Sequence, residues 1–255
     1  MSRNFELLQK IGRDQALYSS SATEEQIPEL VEPTPEVVPV GSRLAIAGAE
    51  LEEITKLVQR VFLLPGSDAP RTVVFSGTEP GNGCSWVCAR VAEVLTSQVA
   101  GSVCLVDANL RHPGLHGQFG AENHYGLTDA LEKREPMRTF AQPLSCPNLW
   151  LVSSGPVAED SQSLLSSDRM RLRMTELRME FDYILIDAAA ISSSNDATVL
   201  GCATDGLVLV LKANSSRRES ARKAIHDLRA AKARVLGAVL NQRTFPIPQS
   251  IYDKL

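Results

Sequence analysis

The residues best suited to chemistry lie in one short stretch, Thr78-Glu79-Pro80-Gly81-Asn82-Gly83-Cys84-Ser85. An apolar run rich in β-branched residues precedes it, and an apolar helical pattern that begins at Ser85 follows it. A strand, a glycine-rich turn and a helix form the layout of a phosphate-binding loop, because glycines let the backbone approach phosphate oxygens and a helix N-terminus favours an anion. The stretch therefore predicts a nucleotide-binding loop over residues 78–85.

One position of this loop departs from the usual pattern. Phosphate loops normally end Gly-Lys-Ser/Thr, whereas this one ends Gly83-Cys84-Ser85. The lysine places a positive charge against the outer phosphates, so its loss predicts weaker triphosphate binding and a rate lower by a factor on the order of 10²–10³. Cys84 is either a small neutral filler or, since a helix N-terminus can lower the pKa of a thiol, a redox-sensitive group.

Two aspartates each end an apolar run, Asp107 in 102–107 and Asp187 in 181–187. Carboxylates at strand ends can hold Mg²⁺ or its waters, and Ser85 occupies the position whose hydroxyl binds Mg²⁺ in phosphate loops. Taken singly, each aspartate could be a turn residue or a helix cap, and Ser85 an ordinary first-turn residue. Two such aspartates together with a glycine loop favour a nucleotide site that holds Mg²⁺.

Two further side chains are candidates for the same site. Arg111 lies just after Asp107 and could supply the absent positive charge, or it could be a surface residue. Asn241 ends the last apolar run, where its amide could read an adenine edge or simply begin a turn.

Strands that alternate with helices must position these residues. After the strand that precedes the loop, apolar runs predict strands at 102–107, 149–152, 181–187, 206–211 and 235–240, and helical patterns lie at 49–64, from Ser85, at about 161–180 and at about 216–231. Several runs are apolar on both faces, which predicts an α/β, three-layer fold with a mostly parallel central sheet. Ligands of such sheets bind at the carboxyl ends of the strands, where the loop and both aspartates fall.

The chain divides into three parts. Residues 1–17 predict a short amphipathic helix, residues 18–43 an acidic, proline-rich linker that cannot order itself, and residues 44–255 the α/β domain. The N-terminal helix is either a docking element on a tether or a frayed tail.

Composition narrows the function classes. The net charge of −4 gives no broad basic surface, so nucleic acid is not an expected partner. The sequence contains no run of 18 or more apolar residues, so no membrane span is predicted. Five cysteines without a signal-peptide core indicate reduced thiols and a cytoplasmic protein.

Three motifs resemble those of the bacterial protein-tyrosine kinases of capsular and exopolysaccharide export, a P-loop branch that also holds septum-site and partitioning ATPases. Pro80–Ser85 resembles the family's Pro-Gly-Glu-Gly-Lys-Ser loop, 106–113 its Asp-Ala-Asp-x-Arg-x-Pro motif, and 181–187 its third acidic motif. Asp196 and Asp205 also fall where the family has further aspartates, and the resemblance covers about residues 50–245.

The resemblance implies ATP and Mg²⁺ as cofactors and a membrane polysaccharide co-polymerase (chain-length regulator) as the partner, so that the protein could lie peripherally at the inner membrane. Residues 78–84 would cradle the phosphates, with Trp86 beside them, and Ser85, Asp107 and Asp187 would hold Mg·ATP. Asp107 would also help to activate the attacking tyrosine hydroxyl, and Arg111 is the third catalytic candidate.

Several positions depart from the family pattern. Besides Cys84, Asn109 replaces the second aspartate of the acidic motif, and Tyr252 stands alone where a tyrosine cluster is usual. In the family's oligomerisation motif, Glu-x-x-Arg-x-x-Arg, Lys56 and Gln59 stand where the two arginines are usual, after Glu53. Assembly into the family's ring is therefore in doubt, and the sequence does not decide whether the protein is a homo-oligomer. The expectation is a tyrosine-autokinase-like protein that is catalytically impaired, and the alternative is a non-catalytic, nucleotide-sensing adaptor.

Overall fold

The structure of the protein is a computed structural model that describes residues 48–63, 69–157 and 160–243. The predicted N-terminal helix and linker, and Tyr252, lie outside these residues. No helix in the described ranges combines the length and the apolar character needed to cross a membrane.

Strands form where β-branched and apolar residues run together, as predicted. The strands are β1 Thr72–Gly77, β2 Val103–Asp107, β3 Gln142–Pro143, β4 Leu149–Val152, β5 Tyr183–Ala188, β6 Gly206–Lys212 and β7 Val235–Asn241. They form one sheet in the order β3-β4-β2-β5-β1-β6-β7, in which only the β3–β4 pair is antiparallel. The mostly parallel central sheet is therefore confirmed.

Helices cover both faces of this sheet and complete the three predicted layers. The helices are α1 Ala49–Phe62, α2 Cys84–Gln98, α3 Leu115–Phe119, α4 Leu127–Glu132, α5 Ser161–Ser166, α6 Asp168–Glu180, α7 Asp196–Cys202 and α8 Arg218–Ala230, with a 3-10 turn at Met137–Phe140. Buried side chains of α1, α2 and α3 pack on one face. Those of α4 to α8 pack on the other.

Helix α1 shows how sequence spacing becomes packing. Ile54, Val58 and Val61 recur at helical spacing and are buried against α2 and the sheet. Burial of each such side chain contributes about 1.5–3 kcal/mol to folding. Lys56 lies on the outer face and pairs with Glu52 and Glu53.

The single helix predicted over 161–180 is wrong at one point. Ser167 has extended backbone angles (φ −70°, ψ 154°) and separates α5 from α6. Its hydroxyl accepts a hydrogen bond from the Met170 amide at 3.2 Å, so it caps α6 instead of continuing α5.

Strand β1 lies between β5 and β6, and β5 lies between β1 and β2. The phosphate loop leaves the carboxyl end of β1, and Asp107 and Asp187 are paired register positions near the carboxyl ends of β2 and β5. The sheet therefore brings the predicted site together at one edge.

Candidate nucleotide site

Residues 78–83 form the turn between β1 and α2. Gly81 (φ 80°) and Gly83 (φ 79°) both lie in the left-handed region, which glycine adopts without steric cost. The first amides of α2 follow at once, and such helix starts favour an anion. The local geometry matches the phosphate-binding loop that the sequence predicts.

Asn82 fixes the loop from inside. Its side chain is 4% exposed, and its amide nitrogen donates to Thr78 Oγ1 at 2.9 Å, to the Val210 carbonyl at 3.0 Å and to Ser216 Oγ at 3.3 Å. Three acceptors on different segments thus hold a residue that the family resemblance aligns with a glutamate. The loop is therefore braced against β6 and the turn that follows it.

Asn241, at the end of β7, braces the loop from the other side. Its amide nitrogen donates to the Asn82 carbonyl at 3.0 Å. A Cβ at Gly83 would lie 2.3 Å from the same nitrogen, so the loop and the amide fit only with glycine there. Adenine recognition by Asn241 stays a prediction, while its contact with the loop is a role that the sequence did not reveal.

Asp107 is a buried and fully engaged carboxylate. Its Oδ2 accepts hydrogen bonds from the amides of Gly114 and Leu115, both at 3.0 Å, and Oδ1 accepts one from Asn109 at 3.2 Å. Burial raises the pKa of Asp107, and these three amides counteract part of that rise. The carboxylate is held in one orientation at the strand end.

Asp187 is buried to the same degree but lacks such partners. It is 0% exposed, and neither carboxylate oxygen has a hydrogen-bond partner of acceptable geometry among the described residues. Burial, and then repulsion by Asp107, raise the pKa of Asp187 to about 7, while the nearby Ser85 hydroxyl and Cys84 thiol lower it by less. Buried polar groups are normally satisfied, so Asp187 is suited to a cation or a proton.

Cys84 and Ser85 begin α2 and stand next to Asp187. Burial and then the Asp187 charge raise the pKa of the Cys84 thiol well above its ordinary value. A redox-sensitive thiol needs a lowered pKa, so the raised pKa contradicts that hypothesis for Cys84. The thiol is a neutral group.

The remaining sequence candidates lie at the margin of this site. Arg111 Nε is 4.0 Å from Asp196 Oδ2, and the arginine side chain is 42% exposed. The Arg111 guanidinium is thus oriented toward Asp196. Trp86 is half-buried and packs against the core between the sheet and α1–α3.

A separate cavity of about 600 Å³ lies at the opposite edge of the sheet, lined by residues that include Arg71, Arg178 and Arg234. Asp205 also lies there, although the sequence resemblance aligns it with a family aspartate. None of the predicted site residues lines this cavity.

The described residues offer only part of the donor set that a magnesium ion would need. Among the described residues, no three His, Cys, Asp or Glu side chains come close enough to hold a metal ion by themselves. Mg²⁺ commonly takes one or two carboxylates and completes its shell with water and substrate phosphates. Asp187, Asp107 and the Ser85 hydroxyl fit that incomplete donor set.

The sequence patterns did not predict two residues that lie beside the loop and its supports. Ser216 accepts from Asn82, and Lys212 ends β6 beside Asn241 in register. The signal for Lys212 was its place after an apolar run, since the strand continues one residue beyond the predicted end at 211.

Comparison with known proteins places the chain among bacterial kinases. No protein-family model matches it. It is 34% identical over 171 residues to the tyrosine-protein kinase YwqD of Bacillus subtilis, which covers 67% of this chain and 72% of YwqD. It also matches EpsB of Ralstonia nicotianae at 30% identity over 169 residues, which is 66% of this chain but 22% of that longer protein.

Solved structures share the fold. The kinase domain of Escherichia coli tyrosine kinase ETK aligns with a TM-score of 0.73 at 21% identity, over 79% of this chain and 78% of that domain. The septum-site-determining protein MinD of Pyrococcus horikoshii, solved with Mg-ADP, aligns with a TM-score of 0.56 at 20% identity, over 72% and 76% of the two chains. The fold is therefore that of the P-loop ATPases, and the extent of the match to YwqD shows that the chain belongs to the family of bacterial protein-tyrosine kinases.

Proposed function

We propose that the protein is a cytoplasmic, Mg·ATP-binding, tyrosine-autokinase-like component of an exopolysaccharide or capsule synthesis and export system, in which phosphoryl transfer is impaired. One observation carries the proposal. The buried Asp187 carboxylate has no hydrogen-bond partner of acceptable geometry in the described structure and stands beside Asp107, near a loop whose Gly81 and Gly83 have left-handed backbone angles.

The described residues divide the work of nucleotide binding. Backbone amides of 78–84 would bind phosphate oxygens, and Asp187 with the Ser85 hydroxyl would hold Mg²⁺ or its waters. Bound Mg²⁺ supplies neutralisation of charge at the β- and γ-phosphates.

Asp107 would act differently from Asp187. Three backbone amides fix its orientation, and its pKa is raised by burial. A fixed carboxylate with a raised pKa is suited to accept the proton of an attacking tyrosine hydroxyl. This division of roles rests on hydrogen-bond partners and on the kinase relatives.

The neutral Cys84 is the reason to expect impaired transfer. A phosphate-loop lysine contributes electrostatic stabilisation when charge develops on the transferred group, and a thiol with a raised pKa contributes none. Arg111 would have to leave Asp196 to replace it.

A second function follows from the same substitution. A chain that binds Mg·ATP without transferring phosphate would be a nucleotide-sensing adaptor, and its partner would be a membrane polysaccharide co-polymerase. The neutral Cys84 favours this alternative. The missing lysine charge would lower the rate of phosphoryl transfer, whereas the backbone amides that bind phosphate are still present. A homo-oligomer fits either function.

Calorimetry with Mg·ATP, followed by an autophosphorylation assay, separates these functions. We expect binding by the wild-type chain and binding at least about tenfold tighter by Cys84→Lys, since one charge-assisted contact is worth that factor. Asp187→Ala should abolish the Mg²⁺ dependence of binding.

Phosphotyrosine formed by the wild-type chain would support the kinase, and binding without transfer would support the adaptor. Equal affinities of wild type and Cys84→Lys would show that the loop does not contact the terminal phosphates. Absence of nucleotide binding in the wild type would refute the proposal.

A further inference from the structure

We propose that Lys212, at the end of β6, supplies the positive charge for the nucleotide phosphates that the phosphate loop itself lacks. The inference rests on the proposed nucleotide binding and adds the residue that makes it feasible without a loop lysine. It is carried by strand register, by contacts of the loop with β6 and β7, and by the absence of an acceptor for the ammonium within the described residues.

Side-chain alternation places Lys212 on the face of the sheet that carries the phosphate loop. Val208 and Val210 are buried in the core formed with α1 and α2, whereas Leu209 is buried in the core on the other face. Since side chains two residues apart share a face, Lys212 follows Val208 and Val210 on the α2 side.

Loop contacts bring the strand end close to the phosphate loop. The Val210 carbonyl, two residues before Lys212, accepts hydrogen bonds from the Asn82 side chain at 3.0 Å and from the Thr78 amide at 3.3 Å. The Lys212 amide donates to Ser216 Oγ at 2.9 Å, and that hydroxyl in turn accepts from Asn82. The backbone of Lys212 is thus one hydroxyl away from the loop.

The neighbouring strand supports the same placement. Lys212 and Asn241 are register partners on β6 and β7, so their side chains lie side by side on one face. Asn241 reaches the Asn82 carbonyl at 3.0 Å with a short side chain. The longer, flexible stem of a lysine can extend farther over the same loop.

The ammonium has no competing partner in the described structure. Lys212 is half-buried, and its backbone amide, not its side chain, makes the hydrogen bond that this residue donates among the described residues. Partial burial of an unpaired cation is unfavourable, and a phosphate ligand would relieve it. Arg111, by contrast, is oriented toward Asp196.

The placement also completes the charge layout of the site. Asp107 and Asp187 lie on β2 and β5, to one side of β1, and Lys212 lies on β6, to the other side. Phosphates in the loop would then have the two buried acids on one side and a cation on the other.

Titration calorimetry with Mg·ATP and with adenosine tests the assignment on four proteins: wild type, Lys212→Met, Lys212→Arg and Lys223→Met. Lys223 is an exposed lysine of α8 and controls for the loss of one positive charge from the whole chain. We expect Lys212→Met to lose about tenfold or more in Mg·ATP affinity with adenosine affinity unchanged. Lys212→Arg should retain most of the affinity, and Lys223→Met should match wild type.

A further comparison uses the Cys84→Lys background. A lysine restored to the loop would duplicate the charge, so Lys212→Met should cost less affinity there than in the wild type.

Unchanged Mg·ATP affinity in Lys212→Met would overturn the assignment alone, whereas a wild type that binds no nucleotide would overturn it together with the proposed function. Equal losses for Mg·ATP and adenosine would identify a structural effect and would also overturn it, as would an equal loss in Lys223→Met.

Discussion

At the first residue of α2 a neutral thiol faces a carboxylate that has no hydrogen-bond partner of acceptable geometry in the described structure. A loop lysine at position 84 would place a cation next to Asp187 and stabilise its charged form. With the neutral Cys84 there, burial and the Asp107 charge dominate and raise the pKa of Asp187. The result is a pair of acids with raised pKa values, each for a different balance of causes. We therefore expect the missing cation to change the protonation of the site as well as its affinity for phosphate.

Stability without Mg²⁺ should therefore fall as pH rises from about 4 to about 7. The pKa of Asp187 is about 7 in the folded chain against an ordinary 3.8, so the folded state binds the proton more tightly than the unfolded state. The free energy of unfolding should fall by at most about 1.4 kcal/mol per pH unit from this one group, with no further loss above about pH 7.

Urea denaturation at several pH values in EDTA measures this dependence, with Asp187→Asn as the comparison. The variant should show a flatter profile, since it has no carboxyl to titrate at that position. Added Mg²⁺ should stabilise the wild type most above pH 7, where Asp187 is ionised. The same slope in wild type and Asp187→Asn would contradict the assigned pKa.

The phosphate loop is held by contacts that no local pattern reveals. Gly81, Gly83 and the start of α2 were predictable because they form a continuous stretch. The bond from Asn241 to the Asn82 carbonyl joins residues 159 apart, and the bond from Asn82 to Ser216 joins residues 134 apart. Those contacts depend on strand order and register, so the sequence predicted the loop but not its supports.

Alanine at the two loop glycines should separate backbone strain from the Asn241 contact. Both glycines have a positive φ near 80°, so either substitution should cost about 1–2 kcal/mol of unfolding free energy. Gly83→Ala should cost more, because its Cβ would lie 2.3 Å from Asn241 Nδ2, whereas nothing lies within 4 Å of a Cβ at Gly81.

Thermal or urea unfolding of the single variants, together with Gly83→Ala/Asn241→Ala, checks this expectation. In the double variant the clash is absent, so the two losses should not add. Additive losses, or equal losses for Gly81→Ala and Gly83→Ala, would show that Asn241 does not brace the loop.

In the described sheet, the carboxyl ends of the strands carry the candidate site, and the amino ends carry structural contacts. The carboxyl edge carries the loop and both buried acids, as predicted from the rule for parallel sheets. Asp205 aligns with a family aspartate by sequence, yet it lies before β6 at the amino edge. Its position in three dimensions, and not its residue type, decides that it is structural.

Asp205 ties the amino ends of β1 and β6 to the last turn of α6. Its Oδ2 accepts hydrogen bonds from the amides of Arg71 and Thr72, both at 2.8 Å, just before and at the start of β1. Its Oδ1 lies 3.5 Å from a guanidinium nitrogen of Arg178 on α6. Asp205→Ala should therefore destabilise the fold by about 1–3 kcal/mol, because two backbone donors lose their acceptor.

Asp205→Asn is the matched control, since its amide oxygen can still accept from both donors, and it should cost less than the alanine variant. Neither variant should change Mg·ATP affinity in calorimetry, because β1 is six residues long and so separates Asp205 from the loop by roughly 20 Å. A loss of nucleotide affinity in Asp205→Asn, with unfolding free energy unchanged, would instead place the amino edge in communication with the site. The expected pattern, stability lost and affinity kept, follows if contacts at the amino edge stabilise the fold and the carboxyl edge binds the nucleotide, as proposed.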